Sequence, residues 1–332
     1  MTAYVVRRVL ALFPLLLAVS FIVFILIRSV PGDPAMAIAG EKAPKAVLDK
    51  IRKERGFDRP VLVQYGIYLR RVLGGDLGKS FKQSGETVAS EIKRYLPATI
   101  ELTLASMLIA LVGGLLFGVL SAVYKSTWVD YLSMTVALAG VSVPIFWLGL
   151  LLLIAFGGVF AGGGRMGLEF DYDPTTGFLL LDSLFGGRFD LFANALRHIV
   201  LPAAALATIP MAMTARITRS SMLEVLGSDY IRTARAKGLN PWKVVMKHAF
   251  RNALIPIITL VGLEFGYLLG GAVLTETVFD WPGMGTYILR AVRDTEYDSI
   301  GAAILVLAAT FVVVNLFVDV LYAYIDPRIR YG

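Results

Sequence analysis

Apolar and polar positions alternate along this chain on two length scales. On the longer one, six apolar stretches stand out, at about 9–29, 98–123, 131–160, 198–215, 253–274 and 300–325. A membrane-spanning helix needs roughly 20 mostly apolar residues, so each stretch is expected to cross a bilayer. The fourth contains Pro202 and Pro210 and is expected to be a kinked span, since neighbouring helices satisfy the carbonyls that proline frees. Pro144 marks a further possible bend in the third. On the shorter scale, Tyr65, Tyr68, Leu69 and Val72 recur at helical spacing, and Val88, Ile92, Tyr95 and Leu96 repeat the pattern just before the second stretch. These predict short amphipathic helices lying on the membrane surface, with a docking or lid element for a partner as the sharper alternative.

Six is even, so both termini share a side. Lys and Arg in short loops decide which one. With the amino terminus inside, segments 1–8, 124–130, 216–251 and 326–332 hold thirteen basic residues, against four in the short outer loops 161–195 and 275–299. Both ends are therefore expected in the cytoplasm. Segment 31–96 falls outside with thirteen basic and eight acidic residues, which is no conflict, because loops beyond about 60 residues obey the charge rule poorly. The first apolar run follows basic residues as in a signal peptide, but it continues to Ile27 with no small-residue cleavage site, and is expected to stay as an anchor. The expected organisation is an amino-terminal span over 1–30, an extracytoplasmic segment over 31–95, a membrane core over 96–325 with a cytoplasmic loop at 216–252, and a cytoplasmic tail at 326–332.

Composition fits lipid. Of 332 residues 57% are hydrophobic and 17% charged, against roughly 25% charged in soluble domains. There is no cysteine, and His198 and His248 are the only histidines; two isolated imidazoles make no metal site by themselves. GGDLGKS at 74–80 looks like a phosphate-binding loop, but the motif needs a glycine where Leu73 stands. With no metalloprotease motif or nucleophile elbow either, no catalysis and no cofactor are expected of this chain.

The net charge of +7 is concentrated. Residues 216–251 hold eight basic residues against Glu224 and Asp229. Within them, RTARAKGLNPWK (232–243) contains helix punctuation: Gly238 suits a left-handed helix end, and Asn240 with Pro241 suits a cap and first turn. A helix, a tight turn and a second helix are expected. Arg232 and Arg235 share a face of the first, with Ile231 and Ala234 beside them. Orientation in the membrane needs only scattered positive charge, with anionic lipid supplying about 1 kcal/mol per residue; a capped turn points to a knob gripped by another protein. No aromatic platform or groove-reading element accompanies it, so nucleic acid is not an expected partner.

Residues 224–256, EVLGSDYIRTARAKGLNPWKVVMKHAFRNALIP, resemble the cytoplasmic coupling loop of bacterial ABC importer permeases, in the version of the B-type subunit of dipeptide and oligopeptide transporters. Of the broad hallmark, Glu-Ala-Ala, three residues, Gly, nine residues, Ile-x-Leu-Pro, only Ala234 and Gly238 match. Agreement continues in RSVPGDPA (28–35), RPVLVQYGIYL (59–69), GDLGKSF (75–81), LPATIELT (96–103), TGFLLLDSLF (176–185), TETVFDWPGMG (275–285) and VNLFVDVLYAYIDPRIRYG (314–332). The resemblance implies an all-α integral membrane protein of the type I ABC importer permease fold, in a bacterial or archaeal inner membrane. It implies assembly with a second homologous permease, two cytoplasmic ATP-binding subunits and an extracytoplasmic substrate-binding protein, with peptide as cargo. Nickel, glutathione or oligosaccharide are cargoes of related permeases. On this resemblance Asp229, Arg232, Thr233, Ala234, Arg235, Lys237 and Gly238 form the contact with the ATPases.

Charges inside spans are costly and usually face a wet cavity or a partner. Glu264 and Asp319 lie well within predicted spans. Asp319, with Asn315 one turn before it, suits a structural hydrogen bond. Gly262, Gly266 and Gly270, four apart, form a stripe that admits a close helix, and Glu264 points roughly opposite it. This makes Glu264 a candidate pathway residue for the amino group of a peptide, against the plainer reading of a carboxyl satisfied by a neighbouring helix. A gradient-driven carrier would show paired inverted repeats and broken helices, and no convincing internal repeat is present. An assembly protein without transport is the remaining class.

Overall fold

The computed structural model describes residues 2–29, 34–40, 43–80 and 85–325. In chain order the helices are α1 (Thr2–Arg28), α2 (Pro34–Ala39), α3 (Lys45–Arg55), α4 (Val61–Leu73), α5 (Val88–Val123), α6 (Trp128–Ala139) and α7 (Ile145–Phe156). They continue with α8 (Leu179–Phe185), α9 (Phe189–Leu226), α10 (Asp229–Ala236), α11 (Pro241–Lys243), a π-helical segment Val244–Phe250, α12 (Arg251–Val278), α13 (Met284–Arg293) and α14 (Tyr297–Ile325). Tail residues 326–332 and the side chain of Asp319 lie outside what is described.

Among the described residues four helices are long and apolar enough to cross a membrane, or five if the pair 241–254 and 256–270, bent by 46°, counts as one. The expected third span is divided. Gly140 ends α6 and Pro144 starts α7, because proline lacks the amide that would continue the ladder and disfavours helix in the residue before it. Conversely, Pro202 and Pro210 do not interrupt α9, which runs unbroken for 38 residues. At 1.5 Å per residue it is about 57 Å long, well over the roughly 30 Å of a hydrocarbon core.

The chain forms two compact units: Met1–Ala98 with Pro282–Val313, and Thr99–Trp281 with Val314–Gly332. In the first, α1 packs on α4. The Ser20 and Tyr65 hydroxyls meet at 2.8 Å, and Phe21 lies edge-on to the Tyr65 ring at 5.1 Å. Val88, Ile92, Tyr95 and Leu96 are not a separate surface helix. They are the first turns of α5, packed into a cluster with Met284, Tyr287 and Ala302, where Tyr287 donates to Glu91 at 2.8 Å.

In the second unit α9 is the central rod, packed against α6, α7, α8 and α12 with Leu191, Ala205, Leu206 and Ala215 fully buried. Its crossing with α5 is close. A Cβ at Gly114 would lie 2.6 Å from Thr214 Cβ, and one at Gly118 would lie 2.7 Å from the Ala215 carbonyl. The expected stripe on α12 divides instead. Gly262 faces Val318 closely enough that a Cβ would meet its Cγ1 at 2.5 Å, whereas nothing lies within 4 Å of a Cβ at Gly270, which is exposed.

Candidate functional site

The basic loop is built from its buried side outward. Ile231 and Ala234, three apart on α10, face inward at 0% and 8% exposure. They join Met222 of α9, Ala122 of α5, Val244 and Ala249 of the π-helical segment and Ala253 of α12 in one apolar cluster. Fully burying a side chain such as Ile231 is worth roughly 1.5–3 kcal/mol, which suffices to hold an eight-residue helix too short to persist alone. Asn252 adds a polar tie, donating to the Tyr230 hydroxyl and to the His248 carbonyl, both at 2.9 Å.

The turn follows from its residue types. Gly238 takes φ +72°, left-handed, where a Cβ is disfavoured. The Asn240 side chain accepts from the Trp242 amide at 2.8 Å, and Pro241 opens α11. The expected second helix is more elaborate than a regular one: three α-helical residues lead into the π-helical segment and then α12. Val244 and Ala249 are five apart and both buried in the same cluster, a spacing that a wide turn puts on one side and a regular helix would not.

The seven residues expected at the contact are thereby brought onto one small projection. Asp229, Arg232, Thr233, Arg235, Lys237 and Gly238 are exposed, and Ala234 alone turns inward as part of the anchor. Arg232 donates to Asp229 at 3.3 Å with both side chains largely in solvent, a pair worth a fraction of a kcal/mol and readily exchanged for a partner's carboxylate. Leu239 at 39% and Trp242 at 68% exposure stand at the tip. Singling out the basic residues missed these two, although an exposed tryptophan in a polar loop is itself a signal for a buried interface.

Beside the anchor sits a charge clamp. Asp130, on the first turn of α6 and buried, accepts from Arg219 Nε and Nη2 of α9 at 3.0 Å each, from the Ser126 amide at 2.9 Å, and from the Ser121 hydroxyl. The Arg219 guanidinium, with these hydrogen bonds, holds the Asp130 carboxyl well below the usual carboxylate range. The clamp fixes the end of α9 from which α10 departs.

Glu264 stands apart from the loop, half-buried on α12, and the structure brings no other expected site residue to it.

The family described as "Binding-protein-dependent transport system inner membrane component" matches residues 114–331, and its companion for the amino-terminal part of such membrane components matches residues 1–103. The dipeptide transport system permease protein DppB of Alkalihalophilus pseudofirmus is 48% identical, with all of both chains covered. The di/tripeptide permease DppB of Pseudomonas aeruginosa is 45% identical over all of this chain and 99% of its own. The glutathione permease GsiC of Escherichia coli is 41% identical over the whole of both chains. A solved structure of the MetNI methionine ABC transporter in an inward-facing conformation matches with a TM-score of 0.55 at 16% identity, covering 71% of this chain and 97% of that one.

Proposed function

Because this chain belongs to the family of binding-protein-dependent transport system inner membrane components, we propose that it is the pore-forming permease subunit of an ATP-driven importer of di- and oligopeptides. It lines half of the translocation pathway; a second homologous permease lines the other half. Two ATP-binding subunits and an external substrate-binding protein complete the assembly. The chain itself hydrolyses nothing.

The observation that carries the coupling role is the projection of α10: exposed charge on one face, an apolar anchor on the other. Arg232, Arg235 and Lys237 meet acidic groups of an ATPase, Leu239 and Trp242 seat in its groove, and Gly238 sets the angle between them. When the ATPases close, the displacement enters through Ile231 and Ala234, which transmit it to α9 and α12 because a close-packed cluster moves as a body rather than deforming. Asp130 keeps the end of α9 from yielding on its own. Glu264 faces the pathway and receives the peptide amino group.

The test uses the whole complex. Gly238→Pro combined with Arg232→Glu should abolish co-purification of the ATPases and uptake of labelled dipeptide, while the permease stays in the membrane. Full retention of both would refute the coupling assignment. The reconstituted complex should take up labelled dipeptides and longer peptides but not nickel, and uptake of nickel without peptide would refute the cargo.

A further inference from the structure

Polarity runs the wrong way round α4 for a helix in water. A water-facing helix buries its apolar stripe and exposes its polar one. On α4 the residue turned inward is Gln64, 6% exposed, whose amide nitrogen donates to the Phe57 and Arg59 carbonyls at 3.2 and 2.7 Å. Leu62 and Leu73 stand outward at 74% and 79% exposure. With Gly66 and half-buried Leu69 they recur at i, i+4, i+7 and i+11 and so share one stripe. Nothing lies within 4 Å of a Cβ placed at Gly66. The aromatic stripe that the periodicity singled out is spent on α1 instead, where the Tyr65 and Tyr68 rings both pack on Phe24, at 5.5 and 5.6 Å.

Depth says what meets the leucine stripe. The 22 residues from Arg7 to Arg28 measure about 30 Å, the thickness of a hydrocarbon core, and little of that stretch is covered by protein. The Tyr65 hydroxyl meets Ser20 at 2.8 Å and donates to the Leu17 carbonyl at 3.1 Å. Leu17 stands about 16 Å along the axis from the Arg28 end, further than a tyrosine side chain reaches. The backbone of α4 therefore lies inside the apolar layer. At 13 residues, about 20 Å, it is too short to cross that layer and enters it from one side.

The side of α1 that α4 covers is bare further down. Phe13, Leu17, Ser20 and Phe24 share one face by the same helical spacing. Ser20 and Phe24 lie against Tyr65, whereas Phe13 is 66% exposed. Part of a surface that otherwise meets acyl chains is thus occupied by α4, and the leucine stripe continues it. Arg70, exposed on the last turn, flanks the stripe, and its long stem carries the charge towards the headgroups.

We propose that the outward face of α4, formed by Leu62, Gly66, Leu69 and Leu73, is sunk among the acyl chains of the leaflet at the Arg28 end of α1. Lipid covers this face, and no partner subunit does. The placement depends neither on the cargo nor on the coupling loop.

The chain has no cysteine, so single cysteines can carry a nitroxide label at chosen positions. The whole complex, assembled with cysteine-free partner subunits in nanodiscs of phosphatidylethanolamine and phosphatidylglycerol, serves for the measurement. Labels at Leu62→Cys and Leu73→Cys should collide several-fold more often with oxygen, which concentrates among acyl chains, than with a water-soluble nickel chelate. A label at Lys50→Cys, whose side chain on α3 is 74% exposed, should reverse that order. Gly66→Cys, in open space, gives the same reading if either leucine variant fails to assemble. Labels on α4 that prefer the nickel chelate would put the face in water, and labels shielded from both reagents would put it under a partner subunit; either result overturns the proposal.

Discussion

At Gly238 nothing crowds the position, since no atom lies within 4 Å of where a Cβ would stand. The constraint is the backbone alone, at φ +72°, where a Cβ costs roughly 1–2 kcal/mol. Substitutions should therefore rank by tolerance of the left-handed region rather than by size. Gly238→Asn should keep most ATPase association and uptake, Gly238→Ala should lose part, and Gly238→Val should lose nearly all. Asp130 poses the opposite case, a side chain held by everything around it. Asp130→Asn leaves Arg219 without its partner. Breaking buried pairs costs about 3–5 kcal/mol, and with Arg219 a third exposed about 2 kcal/mol is expected, read as a lower melting temperature. Because its folded pKa lies below the unfolded value, the clamp's stabilisation is complete above the ordinary aspartate pKa of about 3.9 and is lost as pH falls below it. In Asp130→Asn that acid limb of the melting curve should flatten. Sequence announces the first residue and hides the second: a Gly followed by Asn-Pro in a basic loop is local chemistry, whereas Asp130 and Arg219 are 89 positions apart, and no short pattern links them.

Among the helices, the crossing between α5 and α9 is close: behind Gly114 and Gly118 stand the Cβ atoms of Thr214 and Thr218, which cannot swing away, together with the Met211 and Ala215 carbonyls. Gly118→Leu should push the two rods apart and cost about 2–3 kcal/mol, measured as thermal unfolding of the purified complex in detergent. Gly270→Ala, in open space, should be neutral or slightly stabilising. Small-residue spacing alone favoured the α12 stripe, since Gly262, Gly266 and Gly270 repeat more regularly. What the pattern lacked was the partner: a stripe becomes an interface only where a second helix arrives, and that depends on the whole bundle. Element ends were legible where residue types force them, as at Gly238 and Asn240–Pro241, whereas Pro144, expected only to bend a span, separates two helices. Ends were not legible where packing overrides propensity, as at Val88, whose amphipathic run belongs to a span; Pro202 and Pro210, expected inside one span, do lie inside α9.

For the whole molecule, hydropathy sufficed to indicate an all-helical membrane protein, because lipid admits only helices and closed barrels and apolar runs of about 20 residues are far longer than a barrel strand. The division into two units was not visible, since residues 282–313 join the amino-terminal part across nearly two hundred positions. The placement of Glu264 in the pathway is tested at this scale. A charge-assisted hydrogen bond is worth roughly 1.5–3 kcal/mol, so Glu264→Gln should raise the apparent KM for dipeptide uptake roughly tenfold or more while binding-protein-stimulated ATP hydrolysis persists. Loss of ATPase association instead would make the carboxyl structural.

The π-helical segment between the projection and α12 carries one surplus residue, stored as slack. A chain shortened by one at Met246 would close that turn to ordinary helical spacing and still set Val244 and Ala249 on the same side. One lengthened by a residue would swing the projection about 100° around the axis, away from anything waiting to grip it. The joint is thus forgiving in one direction only, and length changes accumulated there over time should be losses rather than gains.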